Sequence, residues 1–399
     1  MRFYSRMIFL IVVFIFSANP LFAEAKPVLE QLQIPQCLAA KLSAEFSILA
    51  QNRHFKIIEL PTKELDKLAL LADEAHCGRF VNVSHYFVNS KSTDKQKIAR
   101  QLLAKPPVFK TAFLSSPPYK INQERNVNDA LARIDADHII QVVSHLSNYY
   151  NRSASGDSGV QTAKWLQTQF DGLVHAYGRS DTKSYFVKTG NYIQPSLVTV
   201  IGKDIHAPAI VLGAHMDTLD GFMPGAGDDA SGSASLMEVA RVLLASSLTF
   251  ERPIYLIWYA AEERGLVGSQ YVVRKFLRKK TPVKAVIQFD MTGFRNDAND
   301  PTMWVFRDYT DKMLSDYIAE LIKTYIKVPV AYSRCGYGCS DHASWMSAGI
   351  PAAFPCETSF ERHNPYIHSA ADTMDLLNTD HMVNFTKLGL AFAIELASD

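Results

Sequence analysis

The chain has 399 residues, of which 48% are hydrophobic and 20% charged, with a formal net charge of +1. This is ordinary globular composition, long enough for one large domain and a smaller one. The near-zero charge gives no basis for binding nucleic acid or a polyanionic membrane surface.

The amino terminus is different in kind. Arg2 and Arg6 precede an unbroken apolar run, Met7–Phe16, which is followed by Ser17, Ala18, Asn19, Pro20 and then Ala23-Glu24-Ala25. The run is too short to span a bilayer. A basic start, a short apolar run and small residues mark a secretory signal peptide, cleaved after Ala23 or Ala25. Residues 1–25 are therefore expected to be removed, and the protein to be secreted or periplasmic with no stable membrane insertion. No Cys follows the cleavage region, which argues against a lipoprotein. Export makes disulfides possible. The spacing suggests Cys37–Cys77 and a short Cys335–Cys339 loop, leaving Cys356 free. A Cys-x3-Cys pair binding zinc is the alternative, and it lacks a second thiol pair.

Residues 26–117 read as a smaller N-terminal segment, either an accessory domain or a propeptide. Thr62–Ala75 has a helical pattern, and Val81–Val88 and Val108–Leu114 read as strands. Its His54, His76 and His85 have no carboxylates at ligand spacing, and the segment shows no catalytic constellation.

Residues 118–399 carry the chemistry. Helices are expected at Ala136–Leu146 and Gly159–Phe170, and strands at Lys183–Lys188, Gln194–Ile201 and Ala209–Ala214. A helix Ser231–Ala245 follows, with Asp229 or Ser231 as its cap. Next come strand Arg252–Ala260, helix Gly265–Arg278, strand Val283–Phe289 and a helix over 311–327. The stretch 329–375 is loop-rich, and helix Thr379–Ala397 closes the chain. Strands alternating with helices of this length imply an α/β fold.

Three successive apolar strands end in residues that bind metals. They are His215 and Asp217, then Glu262-Glu263, then Asp290. The loop after the first adds Asp228-Asp229, and a late loop adds His368. Ligand sites in α/β sheets collect beyond the carboxyl ends of strands. Two His and three carboxylates are enough for two zinc-like ions that share a bridging carboxylate, roughly 3.5–4 Å apart. One Glu must stay off the metals to move a proton, and Glu262-Glu263 offers one residue for each task.

Several stretches together resemble the zinc aminopeptidase family M28, and within it the secreted bacterial leucyl aminopeptidases. They are His215-Met216-Asp217, Gly225–Gly232, Ala260–Gly268, Phe289-Asp290-Met291, Cys335–His342 and Asn364–His368. They cover most of residues 125–399 in order; the resemblance does not extend to 26–117. It implies a three-layer sandwich around a mixed, mostly parallel twisted sheet, and two Zn2+ per chain. One zinc would take His215 and Asp290, the other Glu263 and His368, with Asp228 bridging. Asp217 would hydrogen-bond the far ring nitrogen of His215. Glu262 would be the general base and then acid for metal-hydroxide attack. Tyr337 would bond the substrate carbonyl or oxyanion, on a loop stiffened by Cys335–Cys339. The family carries a cis peptide at the Asp228-Asp229 pair.

Met291, Phe354, Cys356, Phe360, His363 and Ile367 match positions around the family's P1 pocket. Glu357 and Glu361, close by in sequence, leave room for a basic or broader P1 choice. The implied substrates are peptides with a free, apolar N-terminal residue, acted on by a monomer. The competing readings are a related zinc carboxypeptidase or dipeptidase, which would need a basic clamp, a single-zinc glutaminyl cyclase, and a catalytically inactive binding protein of the same fold. Asp341 and His342 are expected to be support for the site or a buried polar pair.

Overall fold

The computed structural model describes residues 28–43, 45–104 and 119–398. The expected strand Val108–Leu114 and the signal peptide lie outside them. The N-terminal segment contains strands β1 (Leu29–Pro35), β2 (Ser47–Gln51), β3 (Phe55–Pro61) and β4 (Val81–Asn82) and helices α1 (Gln36–Lys41), α2 (Leu65–Ala75) and α3 (Ser92–Ala104). Its sheet runs β2-β3-β1-β4. The expected strand Val81–Val88 is only two residues long, because a 3-10 turn takes over at Ser84–Tyr86.

The larger part begins with helices α4 (Glu124–Leu131), α5 (Ala136–Ser147) and α6 (Asp157–Ala176). There follow β5 (Thr182–Thr189), β6 (Tyr192–Ile201), β7 (Ala209–His215), α7 (Gly232–Ala245), β8 (Ile254–Tyr259), α8 (Val267–Lys279) and β9 (Val283–Gln288). The chain ends with β10 (Met303–Phe306), α9 (Lys312–Leu321), β11 (Val330–Ser333), α10 (His342–Ser347), β12 (Ala352–Ala353), β13 (Pro355–Cys356) and α11 (Thr379–Ala397). The stretch 329–375 is thus less irregular than its sequence implies. β12 joins the main sheet, and β11 and β13 flank β10 in a separate small one. Two-residue strands carry too little alternation to be recognised by pattern.

The main sheet has the order β12-β9-β7-β8-β6-β5. β12, β9, β7 and β8 are parallel, while β6 and β5 are antiparallel additions. Alternate residues leave opposite faces of a strand, and both faces are covered. Ile210, Leu212, Leu256, Trp258, Ala285 and Ile287 pack with α5, α7 and α11 on one side. Val211, Ile257, Tyr259 and Val286 pack with Val272, Val273 and Phe276 of α8 and Trp345 of α10 on the other. This is the three-layer, mostly parallel architecture that strands apolar on both faces require. β9, β7 and β8 are adjacent and parallel, so the residues after Gln288, at His215 and after Tyr259 emerge along one edge of the sheet.

The N-terminal segment is docked on the larger part. Leu219 and Met223 join its apolar core. Tyr192 donates to the Glu30 carboxylate (2.7 Å), and the Asn82 amide donates to the Gly265 carbonyl (3.0 Å). Arg264, almost fully buried, pairs with Asp66 of α2 at 2.5 Å and with Asp220 at 3.2 Å. Gly265 has φ +88°, and a Cβ there would lie 2.6 Å from the Asn82 nitrogen. Only glycine meets both demands.

His342 is fully buried with its ring stacked on Phe354, centroids 4.7 Å apart. Neither ring nitrogen has a hydrogen-bond partner among the described residues, and burial lowers its pKa to about 3. The folded state therefore favours the neutral ring. Its contribution to stability is complete above the ordinary His value near 6.5 and is lost as pH falls toward the folded value. His342→Phe should reduce the stability loss between pH 6.5 and 5 by about 2 kcal/mol, read from denaturant midpoints at the two pH values.

Candidate metal centre and active site

β7 ends on His215, and the loop beyond it returns at Asp228. The imidazole Nε2 of His215 lies 2.9 Å from Oδ1 of Asp228 and 3.6 Å from Oδ1 of Asp290. On the other side, Nε2 of His368 lies 3.0 Å from Oδ2 of Asp228 and 3.2 Å from Oε2 of Glu263. The two trios His215–Asp228–Asp290 and Asp228–Glu263–His368 each bring one donor atom per residue within 4.8 Å of the others. Asp228 thus presents one oxygen to each half.

These donors fit zinc. Imidazole and carboxylate are its ordinary ligands. Asp217, Asp228, Asp229, Glu262, Glu263 and Asp290 are all buried around two imidazoles, and buried like charges need a counter-charge. The titration shifts have the same origin. Although burial lowers them, both imidazoles are held well above the ordinary range, His215 by Asp290 and His368 by Glu263. Glu263 is held at about 2 against the effect of burial, by His368 and Arg79. Burial raises Glu262 well above the usual carboxylate range, with the charge of Glu263 adding to it.

The loop that presents Asp228 is braced on all sides. The Asp228–Asp229 peptide is cis. The carboxylate of Asp229 accepts hydrogen bonds from the backbone amides of His215 (3.1 Å), Gly232 (2.8 Å) and Met291 (3.1 Å). Asp229, not Ser231, is the group that meets the start of α7. Asp372 accepts from the amides of Gly227 (3.0 Å) and Asp228 (2.9 Å) and from the Asn364 side chain (3.1 Å). Arg152, fully buried, donates to the carbonyls of Met216 (2.9 Å) and Gly225 (2.8 Å). Sequence patterning singled out neither Asp372 nor Arg152 for this task. Each acts through backbone groups, which impose no residue spacing.

Asp217 stands 3.6 Å from Nδ1 of His215, beyond hydrogen-bond distance. Its closer contacts are the amides of Glu262 (3.0 Å) and Glu263 (3.3 Å), so it clamps the turn that carries both glutamates. Glu262 and Tyr337 face one cleft, of about 140 Å³, together with Asp228, Asp290 and His368. Tyr337 sits in the loop closed by the Cys335–Cys339 disulfide. Burial raises its hydroxyl to about 12, so the phenol stays protonated. Cys37–Cys77 is also paired, and Cys356 is free and buried.

Met291, Phe354, Cys356, Phe360, His363 and Ile367 all line the cleft. Glu357 does not: its carboxylate accepts from the amides of Gly293 (2.7 Å) and Phe294 (2.6 Å). Glu361 is exposed. Neither is among the residues that line the cleft.

The N-terminal segment, which shows no constellation in sequence, contributes to the centre. Asp73 of α2 reaches Nδ1 of His368 at 2.6 Å, and Arg79 pairs with Oε2 of Glu263 at 2.9 Å. His76 lines the cleft. The Asp73–His368 contact spans 295 positions of sequence, where local spacing carries no signal.

A profile of Peptidase family M28 matches residues 197–393. Leucine aminopeptidase 1 of Coccidioides posadasii is 33% identical over 298 residues, covering 70% of this chain and 76% of that protein. Among solved structures, the LapA aminopeptidase of Legionella pneumophila is 61% identical with a TM-score of 0.89, covering 94% of this chain and 99% of that one. LapB of the same organism is 45% identical with a TM-score of 0.87, covering 93% and 100%. Coverage of that extent includes the N-terminal segment.

Asp372→Asn turns an amide donor toward backbone amides that are already donors. It should lower unfolding free energy by about 1–3 kcal/mol, a fall of several degrees in Tm by calorimetry.

Proposed function

The chain belongs to peptidase family M28, and from that premise we propose that it is a two-zinc exopeptidase releasing apolar N-terminal residues from peptides, with Glu262 as general base. Its standing as a metal-dependent aminopeptidase rests on the family and on relatives named leucine aminopeptidase and LapA aminopeptidase. The finer reading rests on Asp228, whose two oxygens face two different histidines (2.9 and 3.0 Å). One trio would serve a single ion; two trios joined through one carboxylate suit a pair.

His215 and Asp290 would hold one zinc, Glu263 and His368 the other, with Asp228 between them. Bound there, zinc supplies a Lewis acid for the amide carbonyl and lowers the pKa of the attacking water. Glu262 accepts the proton of that water and returns it to the leaving amine. Burial raises its pKa, which makes its carboxylate a stronger base for that proton. Tyr337, kept neutral, donates a hydrogen bond to the carbonyl oxygen as negative charge develops there. Asp217 fixes the turn from which Glu262 acts. Met291, Phe354 and Ile367 give the P1 side chain an apolar wall.

The carboxypeptidase or dipeptidase alternative needs a basic clamp. Arg79 lines the cleft, but its guanidinium is on Glu263. The paired cysteines and the leader-like residues 1–25 support export. No helix among the described residues is long and apolar enough to cross a membrane. We read residues 26–117 as an accessory domain, since they bring Asp73 and Arg79 to the centre, and residues 118–399 as the catalytic domain acting as a monomer.

Glu262→Gln should lower kcat by about 10²–10⁴-fold with zinc content unchanged. Chelation should abolish turnover, and leucyl-amides should be cleaved while their N-acetylated forms are not. Equal cleavage of blocked and free substrates would sink the exopeptidase reading, and full activity of Glu262→Gln would remove the assigned base.

A further inference from the structure

The two halves of the centre are not built alike. His215, Asp228 and Asp290, with Asp217 behind them, all come from the strand ends and loop of residues 215–290. The half formed by Glu263 and His368 touches a second body. Asp73 sits behind the imidazole of His368, 2.6 Å from Nδ1, while Nε2 points at Asp228 and Glu263. Arg79 places its guanidinium 2.9 Å from Oε2 of Glu263 and 3.5 Å from Nε2 of His368.

The two contacts have opposite signs for a metal ion. A carboxylate on Nδ1 keeps the proton there, leaves the lone pair on Nε2 and makes the ring a stronger donor. An arginine is always charged. Placed on the Glu263 ligand oxygen, it competes with a divalent cation for the same negative charge. Asp217 stands farther from its own histidine, at 3.6 Å, and also accepts from two backbone amides.

Both groups are held firmly. Asp73 lies in the last turn of α2, and the Cys37–Cys77 disulfide closes the chain just before Arg79. α2 is tied through Asp66 to Arg264, the residue that follows Glu263. The position of the helix and the position of the Glu263 turn are therefore set together. The ring of Tyr337 packs on Gly78, where a Cβ would meet it at 3.1 Å, so the same strip of chain rests on the active-site loop.

We propose that the N-terminal segment sets the metal affinity of the Glu263–His368 half alone: Asp73 is a positioning residue that strengthens it, and Arg79 is a fixed cation that weakens it. This rests on the two-zinc reading above. It makes the segment a working part of the centre, and it makes that half the one whose occupancy responds to movement of α2.

The test uses the full chain, loaded with zinc and dialysed against graded chelator, with zinc per chain measured by elemental analysis. Wild-type protein should lose its two ions in two steps. Asp73→Asn should shift one step only, toward release at about 10–100-fold lower chelator activity. Arg79→Gln should shift that same step the other way, and Asp73→Glu should recover part of the loss. Glu74→Gln, the same change of charge at an exposed neighbour on α2, should shift neither step. Thermal unfolding of the metal-free proteins checks that each variant folds. Two ions in the wild type, with release unchanged in Asp73→Asn or shifted equally for both ions, would overturn the inference and leave the two-zinc reading standing. A wild-type chain that holds fewer than two zinc ions would overturn that reading, and this inference with it.

Discussion

The site depends on bringing mutually repelling carboxylates out of water and into one place. Four of them, Asp217, Glu262, Glu263 and Asp290, with His215, stand at or just beyond the ends of β7, β8 and β9, which are parallel neighbours in a sheet covered on both faces. Burial of this kind is costly for each charge. Imidazoles, backbone amides and the guanidinium of Arg79 answer several of these oxygens, and the donors are grouped so that they can share a cation. The rest of the large domain can be understood as the support that keeps those strand ends in register.

That support works mainly through the backbone. Asp229, Asp372 and Asp217 are acidic groups beside ligands, yet what each accepts is a set of amide N–H groups. Asp229 joins the end of β7, the start of α7 and the turn after β9. Asp372 links the loop that carries His368 to the loop that carries Asp228. Asp217 fixes Glu262 and Glu263 relative to β7. An ion pair at these places would fix two side chains, whereas a carboxylate on backbone amides fixes the path of the chain. Displacement of any one brace would move a candidate ligand that belongs to a different strand or loop.

Much of this was legible in the sequence, for a physical reason. A strand buried on both faces reads as a continuous apolar run, and its end is marked where the polar residues begin. His215, Glu262, Glu263 and Asp290 follow such runs directly, so their placement could be read locally. Asp228 and His368 stand in loops and were found through motifs. Arg152 and Asp372 carry no such mark, because they bond to main-chain atoms that any sequence provides. Asp217 was identified but with a different emphasis: the expected bond to His215 is long, and the bonds to the two glutamate amides are short. Glu357 is next to Cys356 in sequence yet turns to the amides of Gly293 and Phe294, because neighbours in a strand point to opposite sides. The two-residue strands β12 and β13 were too short to show alternation.

The N-terminal segment was legible as a separate unit and illegible as part of the site. Its helix α2 has an ordinary amphipathic pattern, and Asp73 reads as one of several solvent-facing acids on it. What brings Asp73 to His368 is docking, and the docking residues are dispersed: Glu30 to Tyr192, Asp66 to Arg264, Asn82 to Gly265. Arg264 is the informative member of this set. Its guanidinium, at 1% exposure and one residue beyond two site glutamates, meets Asp220 of the large domain at 3.2 Å and Asp66 of α2 at 2.5 Å. The nearer of its two carboxylates therefore comes from the N-terminal segment. Removal of the segment would leave Arg264 without its closest ion-pair partner and His368 without its carboxylate. A segment that only shielded a finished site would leave neither behind.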